Sequence, residues 1–228
     1  MDRQVYKKME SIGFGVFSPK QSLDLAAAKI VTPELYDREG YPVDGGLMDI
    51  RLGVIDPGLK CKTCGQKLKE CTGHFGYIEL ARPVIHIKFI RQVYDLLRST
   101  CKYCGRVLIS DSSIARFTKK TTDDDEVSEE NDFDSKAKTI KEVVKHKAKD
   151  KCPHCEKKQE KIRMEKPYNF YESDIRLSPI EVRARLEKIP DEDLSVFGYA
   201  LGFRPEWMVL TIMSIPPVTM RPSITLES

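Results

Sequence analysis

The sequence of 228 residues predicts an α+β protein, an irregular fold of short strands and several helices stabilised by two closed metal sites. Apolar residues make up 40% of the chain and charged residues 32%, which suffices for a core but is more polar than average. Six of the seven cysteines form Cys-x2-Cys pairs, and the seventh precedes a histidine at the same spacing. Apolar residues recur at helical spacing in some stretches and alternate in others, which indicates a mixture of helices and strands.

The cellular compartment is indicated by what the sequence lacks. No stretch approaches the roughly 18 apolar residues of a membrane-spanning helix. The polar N-terminus has no apolar core typical of a secretory signal. We therefore expect a cytoplasmic protein without membrane association. In that reducing compartment, metal-bound thiolates explain the cysteines better than disulfides do.

The first quarter of the chain predicts a strand, a helix and a long loop. Alternating apolar residues predict a short strand over Ile12–Phe17, and helical spacing predicts a helix over residues 20–30. Residues 36–58 are dense in turn-forming residues, and loops of that length are usually functional or packed on a partner. Without a partner, Leu47 and Met48 of this loop are expected to be exposed.

Three further helices and one strand are predicted. Apolar residues at i, i+3, i+4 and i+7 predict a helix over residues 87–99, and a second helix is predicted over 135–149. A third begins at Ser178, which starts a capping box followed by proline at the first helical position, and ends by Pro190. The apolar, β-prone segment 207–215 lies between prolines and predicts a buried strand.

The net charge of +3 conceals an uneven distribution. Residues 1–122 carry +7, residues 123–134 carry −8, residues 135–166 carry +7 and residues 167–228 carry −3. The acidic run has too few apolar residues to pack and predicts a disordered surface insertion. The basic remainder could lie near nucleic acid, although a solvated surface of mixed sign is the simpler explanation of charge alone.

A first ligand set has the spacing Cys-x2-Cys-x6-Cys-x2-His and comprises Cys61, Cys64, Cys71 and His74. Each pair places two ligands on one tight turn, and glycines within or after the pairs supply the backbone freedom that such turns need. Four nitrogen and sulfur ligands complete a tetrahedral zinc site, and these donors favour zinc over calcium or magnesium. The alternative is a group of buried free cysteines with a core histidine.

A second ligand set consists of two Cys-x2-Cys pairs, Cys101 with Cys104 and Cys152 with Cys155, separated by 47 residues. Two such pairs are typical of a zinc ribbon, and a helix and an insertion fill the long gap. The alternative, a redox pair beside an unrelated one, requires a βαβ context that the sequence does not show. Because eight ligands divided four and four leave no open position, both zinc ions are expected to be structural.

No other segment predicts catalytic chemistry. His86 is expected to be a strand or core histidine, His146 a solvated residue and His154 a surface residue of its turn. The segment Asn131–Ser135 resembles a carboxylate cluster for magnesium but lacks a glycine to fold the loop back. The chain contains no phosphate-binding loop and no nucleophile motif. We therefore predict no catalytic residue, and an isolated chain that is not an enzyme.

Several sequence blocks are long and specific: Gly40–Asp49, Arg51–Val54, Cys71–Gly76, Ile78–Val84, Arg204–Met208, Ile215–Val218 and Arg221–Ile224. They resemble the largest subunit of multisubunit DNA-directed RNA polymerase, in its archaeal form more than its eukaryotic one. The resemblance extends over nearly the whole chain and concerns only the N-terminal part of that subunit, the clamp core and clamp head.

The resemblance implies a mobile clamp module that encloses downstream DNA and the RNA–DNA hybrid during transcription. It implies that residues 1–89 belong to the clamp core with the first zinc site, that 90–204 form the clamp head with the second zinc site and the acidic insertion, and that 205–228 return to the clamp core. It assigns all eight predicted ligands to two zinc ions. The implied partners are the second-largest subunit, the remainder of the largest subunit, DNA, the hybrid, and initiation and elongation factors.

The resemblance also implies where the chemistry lies. In this family an aspartate triad holds the catalytic magnesium, and that block would lie beyond Ser228. Nucleotidyl transfer therefore belongs to the polymerase as a whole, and this chain alone is expected to be inactive. Two other classes remain open: a free-standing zinc-ribbon adaptor that binds nucleic acid or protein, and a zinc or thiol enzyme, which the closed ligand sets oppose. The loop 36–58 favours the polymerase subunit, because a free protein would leave it uncovered.

Overall fold

The computed structural model of the protein describes residues 15–125, 133–148, 150–199 and 202–221. They divide into two compact units. The larger unit contains residues 85–208, and the smaller unit contains residues 17–84 and the chain from Val209 onward.

Helices and strands alternate irregularly along the chain. The helices are α1 Pro19–Leu25, α2 Ile90–Ser99, α3 Asp111–Asp125, α4 Phe133–His146, α5 Pro179–Glu187 and α6 Asp191–Leu194. The strands are β1 Ala26–Lys29, β2 Phe75–Ile85, β3 Ile162–Glu165, β4 Asn169–Glu172, β5 Ile175–Leu177 and β6 Val209–Ile215. Short 3-10 helices occur at Ile50–Leu52, Ile87–Phe89, Ser195–Phe197, Pro205–Met208 and Val218–Met220. The predicted mixture of helix and strand is confirmed.

The smaller unit is built on a three-stranded sheet with the order β1-β2-β6. Strand β1 runs parallel to β2, with Ala26 opposite Phe75 and Lys29 opposite Tyr77. The buried core on this sheet consists of Ala28, Ile30, Met48, Leu52, Ile215 and Val218.

The long loop of residues 36–58 contributes to this core, so the chain itself covers its apolar residues. Met48 is only 5% exposed, and Leu47 packs partly buried against the same cluster. The guanidinium of Arg221 donates to the carbonyl of Leu47 at 2.5 Å and holds the loop from the opposite end of the chain. The prediction that Leu47 and Met48 would be exposed is therefore wrong, because the loop folds back on its own sheet.

The predicted helix over residues 20–30 is too long. Ser18 caps α1, with the capping box completed by Gln21, but the helix ends at Leu25 and the next four residues form β1. Alanine favours helices, yet pairing with β2 outweighs that local preference. Of the predicted strand Ile12–Phe17, residues 15–17 have no regular structure and the rest lies outside the described residues.

The larger unit contains an antiparallel meander of β3, β4 and β5, and α2 packs against β3. Ile162 lies opposite Glu172, and Phe170 lies opposite Leu177. The helix predicted over 87–99 is confirmed as α2 after one 3-10 turn. The helix predicted over 135–149 is confirmed as α4, two to three residues earlier at each end. The capping box at Ser178 opens α5 as predicted.

Several predictions for this part of the chain require correction. The predicted buried strand 207–215 begins at Val209, and only its first and last residues are buried. The sequence did not reveal β2, α3 or the β3–β5 meander. The acidic run overlaps the last turn of α3 and the start of α4, while its centre, residues 126–132, lies outside the described residues. Among the described residues, no helix has the length and apolar character needed to cross a membrane.

Candidate metal centres

The eight predicted ligands lie in two clusters, grouped as the sequence predicts. Within each cluster the candidate ligand atoms all lie within 4.8 Å of one another. In the first, Cys64 Sγ lies 3.6 Å from Cys71 Sγ, which lies 3.7 Å from His74 Nε2. In the second, the Sγ atoms are 3.6 Å apart for Cys101 and Cys155 and 3.7 Å apart for Cys104 and Cys152. Each cluster could therefore hold one metal ion.

The spacing of the sulfur atoms fits metal coordination and excludes covalent pairing. A disulfide bond is about 2.05 Å long, far shorter than these separations. Four ligands at about 2.3 Å from a zinc ion would lie about 3.8 Å apart at the corners of a regular tetrahedron. The 3.6–3.7 Å separations lie close to that edge length. Sulfur and imidazole nitrogen are also donors that zinc prefers.

Three of the four ligand pairs share one backbone geometry, which we call the knuckle. In each knuckle the N–H of the first cysteine donates to the carbonyl five residues later, and the N–H four residues later donates back to the carbonyl of that cysteine. These bonds join Cys61 to Gln66 (2.9 Å) and Gly65 (2.8 Å), Cys101 to Arg106 (2.9 Å) and Gly105 (3.0 Å), and Cys152 to Lys157 (3.0 Å) and Glu156 (2.9 Å). The second cysteine of each pair is thereby turned towards the first.

The knuckle requires a left-handed residue four positions after its first cysteine. Gly65 and Gly105 occupy that position with φ of 72° and 76°. In the third knuckle Glu156 takes the same conformation with φ of 57°, where a Cβ is unfavourable. Glycine after the second cysteine was the sequence signal for the first two knuckles, and the third forms without it.

The Cys71–His74 pair is positioned differently. The Cys71 N–H donates to the Lys67 carbonyl at 3.0 Å, and the His74 N–H donates to the Leu52 carbonyl at 3.0 Å. Gly73 between them has φ of 86°, and a Cβ there would lie 2.5 Å from Cβ of Pro217. Glycine is therefore required both for the turn and for the close approach of the chain near Pro217.

Burial and hydrogen bonding give the thiols within each cluster different pKa values. Burial raises the pKa of Cys71 to about 11 and that of Cys104 to about 12. Burial acts in the same direction on Cys101, but N–H groups of Cys104 and Tyr103 bring its pKa down to about 7. The same balance, with N–H groups of Cys64 and Thr63, lowers the pKa of Cys61. Such crowded sulfurs can ionise together only around a cation, so the donor sets fit a metal ion.

A buried aspartate supports a knuckle in each cluster, and neither aspartate was identified from the sequence as functional. Asp49, with no exposed surface, accepts from Gly45 N–H at 2.5 Å and from the guanidinium of Arg51 at 2.6 Å. The carbonyl of Arg51 accepts from the hydroxyl of Thr63, inside the first knuckle, at 2.7 Å. Burial opposes ionisation of Asp49, but these donors lower its pKa below the ordinary value.

The corresponding aspartate of the second cluster is Asp193 in α6, which also has no exposed surface. It accepts from Arg106 Nε at 2.9 Å and from Val107 N–H at 2.9 Å. Arg106 supplies the carbonyl that closes the Cys101 knuckle. Gln159, which follows the Cys152–Cys155 pair, adds a donor, since its amide lies 3.3 Å from Cys101 Sγ. No sequence motif pointed to Asp193 or Gln159, which lie far from Cys101 along the chain.

The three remaining histidines lie outside both clusters. Partly buried His86 caps a 3-10 turn by accepting from the Lys88 N–H at 3.2 Å, and burial lowers its pKa. His146 is exposed, as predicted. His154 is partly buried, with Nε2 3.0 Å from the Val107 carbonyl, so its prediction as a surface residue is wrong. The candidate magnesium segment 131–135 lies partly outside the described residues, and the described part of the chain contains no third ligand cluster.

Comparison with known proteins shows one family along nearly the entire chain. Residues 6–228 match the family model described as RNA polymerase Rpb1, domain 1. The chain is 49% identical over 227 residues to the DNA-directed RNA polymerase subunit Rpo1N of Methanothermobacter thermautotrophicus, covering 99% of this chain and 26% of the relative. The subunit of the same name from Thermococcus celer is 49% identical over 238 residues, covering 99% and 26%.

A third relative, subunit Rpo1N of Sulfolobus acidocaldarius, is 46% identical over 229 residues, covering 97% of this chain and 26% of the relative. The chain thus spans about a quarter of the length of these relatives. The family match includes both ligand clusters and every sequence block that carried the resemblance. The chain therefore belongs to the RNA polymerase Rpb1, domain 1 family.

Proposed function

We propose that this chain is the clamp portion of the largest subunit of an archaeal-type DNA-directed RNA polymerase. In this role it helps to enclose downstream DNA and the RNA–DNA hybrid during transcription. The observation that carries the proposal is the family match over residues 6–228, together with relatives that are named as polymerase subunits. Nucleotidyl transfer would belong to the assembled polymerase, whose magnesium site would lie in the part that this chain does not cover.

Two structural zinc ions form part of the proposal. One would be held by Cys61, Cys64, Cys71 and His74, and the other by Cys101, Cys104, Cys152 and Cys155. The donor types and the near-tetrahedral spacing support zinc, and four ligands leave no position open for a substrate. When bound, a zinc ion would hold the four ligands of each cluster together. The chain's own contribution is to hold the thiolates in place through the knuckle hydrogen bonds.

The proposed division of the clamp follows the sequence-based boundaries. Residues 1–89 would form the clamp core with the first zinc site, residues 90–204 the clamp head with the second, and residues 205–228 the return to the core. The two compact units, with boundaries near Ile85 and Met208, are in line with such a division. A rigid zinc-stiffened head of this kind could move as one body.

The proposed partners are the second-largest subunit, the remainder of the largest subunit, DNA, the RNA–DNA hybrid, and initiation and elongation factors, all in the cytoplasm. The basic regions on either side of the acidic run support contact with nucleic acid. Such contact would be independent of sequence, since phosphate contacts carry no sequence information.

Purification of the tagged native protein from its own cells tests this function. The second-largest polymerase subunit and the remainder of the largest subunit should elute with it. Elution of the protein alone at moderate salt would contradict the proposal and favour the alternative, a free-standing zinc-ribbon adaptor. The loop 36–58 no longer separates these alternatives, because Met48 is buried by the chain itself.

Elemental analysis of the same preparation tests the metal assignment separately. Two zinc ions per chain are expected from two complete ligand sets. A ratio near one would contradict one of the two sites but leave the polymerase assignment standing. A different metal at a ratio of two would contradict zinc and preserve the ligand assignment.

A further inference from the structure

The larger unit contains a polar cavity of about 340 Å³ that adjoins the second ligand cluster but is not lined by its ligands. Its volume falls in the range of small-ligand sites, roughly 300–1,000 Å³. The walls come from the end of α2, the segment after α4, the strands β3 and β4, and α5. Its ionisable lining residues are five basic and three acidic: Arg98, Lys102, Lys147, Lys161, Arg185, Asp150, Glu160 and Glu172.

The most buried acidic group of the cavity is already neutralised. Glu172 is 8% exposed, and one of its carboxylate oxygens accepts from both Lys102 Nζ and Arg185 Nη2 at 2.5 Å. Two cations therefore share this one anion. Glu160 is exposed and accepts from the Ser173 hydroxyl at 3.0 Å.

A second cationic part of the cavity lining is formed by Lys147 and Arg98. Lys147 is partly buried, and its ammonium donates to the backbone carbonyl of Arg98 at 2.9 Å. Among the described residues no carboxylate forms an ion pair with Lys147. The guanidinium of Arg98 forms a long ion pair with Asp95 at 3.8 Å and lies over the ring of Tyr94, 5.1 Å from its centroid. Burial, followed by the charge of Arg98, lowers the pKa of Lys147, as expected of a cation without its counter-ion.

The backbone around Lys147 is fixed before any ligand arrives. The N–H of the next residue, Ala148, donates to the Leu108 carbonyl at 2.7 Å. The Lys147 ammonium has two further hydrogens after its bond to Arg98. An anchored ammonium and a guanidinium that line the same cavity are donors suited to phosphate, and a guanidinium can supply two parallel N–H groups.

We propose that this cavity is a binding site for a phosphate group, held by Lys147 and Arg98, with Lys161 at its exposed rim. A phosphate group fits better than a single carboxylate, because five basic and three acidic lining residues leave the cavity with an excess of two positive charges. The phosphate could be free inorganic phosphate or pyrophosphate, or a phosphate of nucleic acid. The inference does not rest on the polymerase assignment, since it would stand equally for a free-standing protein.

Titration of the zinc-loaded chain with inorganic phosphate and pyrophosphate, followed by calorimetry, tests the site. Lys147→Met removes the charge and keeps the apolar stem, and it should weaken binding by about tenfold or more, the loss expected for one charge-assisted hydrogen bond. Lys145→Met is the matched control: an exposed lysine two residues earlier, outside the cavity, that alters net charge identically. It should change the affinity by less than about twofold, as expected of a screened surface charge.

A competition experiment distinguishes the sources of phosphate. Pyrophosphate that displaces a labelled short DNA duplex from the wild type, and not from Lys147→Met, would assign the site to nucleic acid phosphates. Pyrophosphate binding that depends on Lys147 without displacing the duplex would assign it to free phosphate. Absence of saturable phosphate binding, or equal losses in Lys147→Met and Lys145→Met, would overturn the proposal. The zinc content of each variant shows whether it has folded. If Lys147→Met does not fold, Arg98→Gln replaces it as the test variant, and we expect the same loss of phosphate affinity.

Discussion

The two ligand clusters use similar local geometry but depend on very different lengths of chain. In the first cluster, Cys64 and Cys71 are 7 positions apart, whereas Cys101 and Cys155 in the second are 54 positions apart. The chain between the halves of the second cluster includes α4, whose Ile140 and Val143 are fully buried. The ligands of the first cluster can therefore meet within one short loop, although Gly73 between two of them packs against Pro217. Those of the second cluster meet only when the helices of the larger unit have packed.

The first two knuckles also differ in how closely other parts of the chain pack against them. The glycine of the first knuckle, Gly65, has open space where a Cβ would lie. The corresponding Gly105 of the second lies against the backbone of Lys188, at the end of α5. The first knuckle therefore has room at its glycine, whereas the second knuckle is tightly packed against another part of its unit. This comparison predicts unequal responses to equivalent substitutions.

The largest expected effect is loss of one of the ligands proposed to hold zinc. Structural zinc contributes roughly 10–16 kcal/mol of binding free energy, comparable with the stability of a whole domain at about 5–15 kcal/mol. Cys152→Ser should lose one zinc per chain and hydrogen-exchange protection throughout α2, α4 and the β3–β5 meander. Cys71→Ser should also lose one zinc, but the loss of protection should stay near residues 50–76. Equally wide losses in both variants would contradict the distinction between a local and a long-range site.

The next effect compares the two knuckle glycines. In Gly105→Ala the new Cβ would overlap the Lys188 carbonyl oxygen and lie 2.6 Å from its carbon, in addition to the strain of a positive φ. We expect it to lower the free energy of unfolding by about 4 kcal/mol or more, because backbone must move. Gly65→Ala meets no neighbour and should cost only the conformational strain, about 1–2 kcal/mol. Chemical denaturation of both variants measures the difference, and similar costs would show that the second knuckle is not more tightly packed.

A smaller effect concerns the buried Asp49 of the first cluster. Asp49→Asn should destabilise the protein by about 2–3 kcal/mol at neutral pH, since it removes the charge that satisfies Arg51 and the N–H of Gly45. The exposed Asp44, paired with Lys62 on the surface, is the control, and Asp44→Asn should change stability by less than about 1 kcal/mol.

The same variant has a defined pH dependence. The pKa of Asp49 is lowered by folding, so its stabilisation is complete above the unfolded value of about 3.9 and is lost as the pH falls through the lower folded value. When the pH is lowered below about 4, the free energy of unfolding should therefore decrease less in Asp49→Asn than in the wild type. Protonation of the metal ligands affects both proteins and cancels in the difference. Parallel stability curves between neutral and acid pH would contradict this role of Asp49.

The smallest effect is expected at the third knuckle. Glu156→Gly relieves a positive φ worth roughly 1–2 kcal/mol but increases the entropy of the unfolded chain by roughly 0.5–1 kcal/mol. We expect a gain of up to about 1 kcal/mol in the free energy of unfolding, with unchanged zinc content. Thermal denaturation measures it. A destabilised variant would indicate that the Glu156 side chain makes a contribution that its exposed position does not suggest.

Sequence reasoning was most successful where the determining contacts are local. The spacing of the cysteines and His74 identified both ligand groups, since each knuckle closes over six residues. The capping box at Ser178 fixed the start of α5, because its bonds connect residues three positions apart. The helical spacing of Ile90, Val93, Tyr94 and Leu97 likewise identified the buried face of α2, on which Tyr94 is only partly buried.

Tertiary structure decided what depends on contacts distant in sequence. Ala26–Lys29 form a strand instead of continuing α1, because β2 offers hydrogen bonds that outweigh a modest helix preference. Met48 is buried, because the loop folds onto the β1-β2-β6 sheet. The support of the second knuckle by Asp193 and the convergence of Lys147 and Arg98 in one cavity join residues that no local pattern relates. The sequence by itself determined which side chains can bind metal, and packing between distant segments determined what surrounds and supports them.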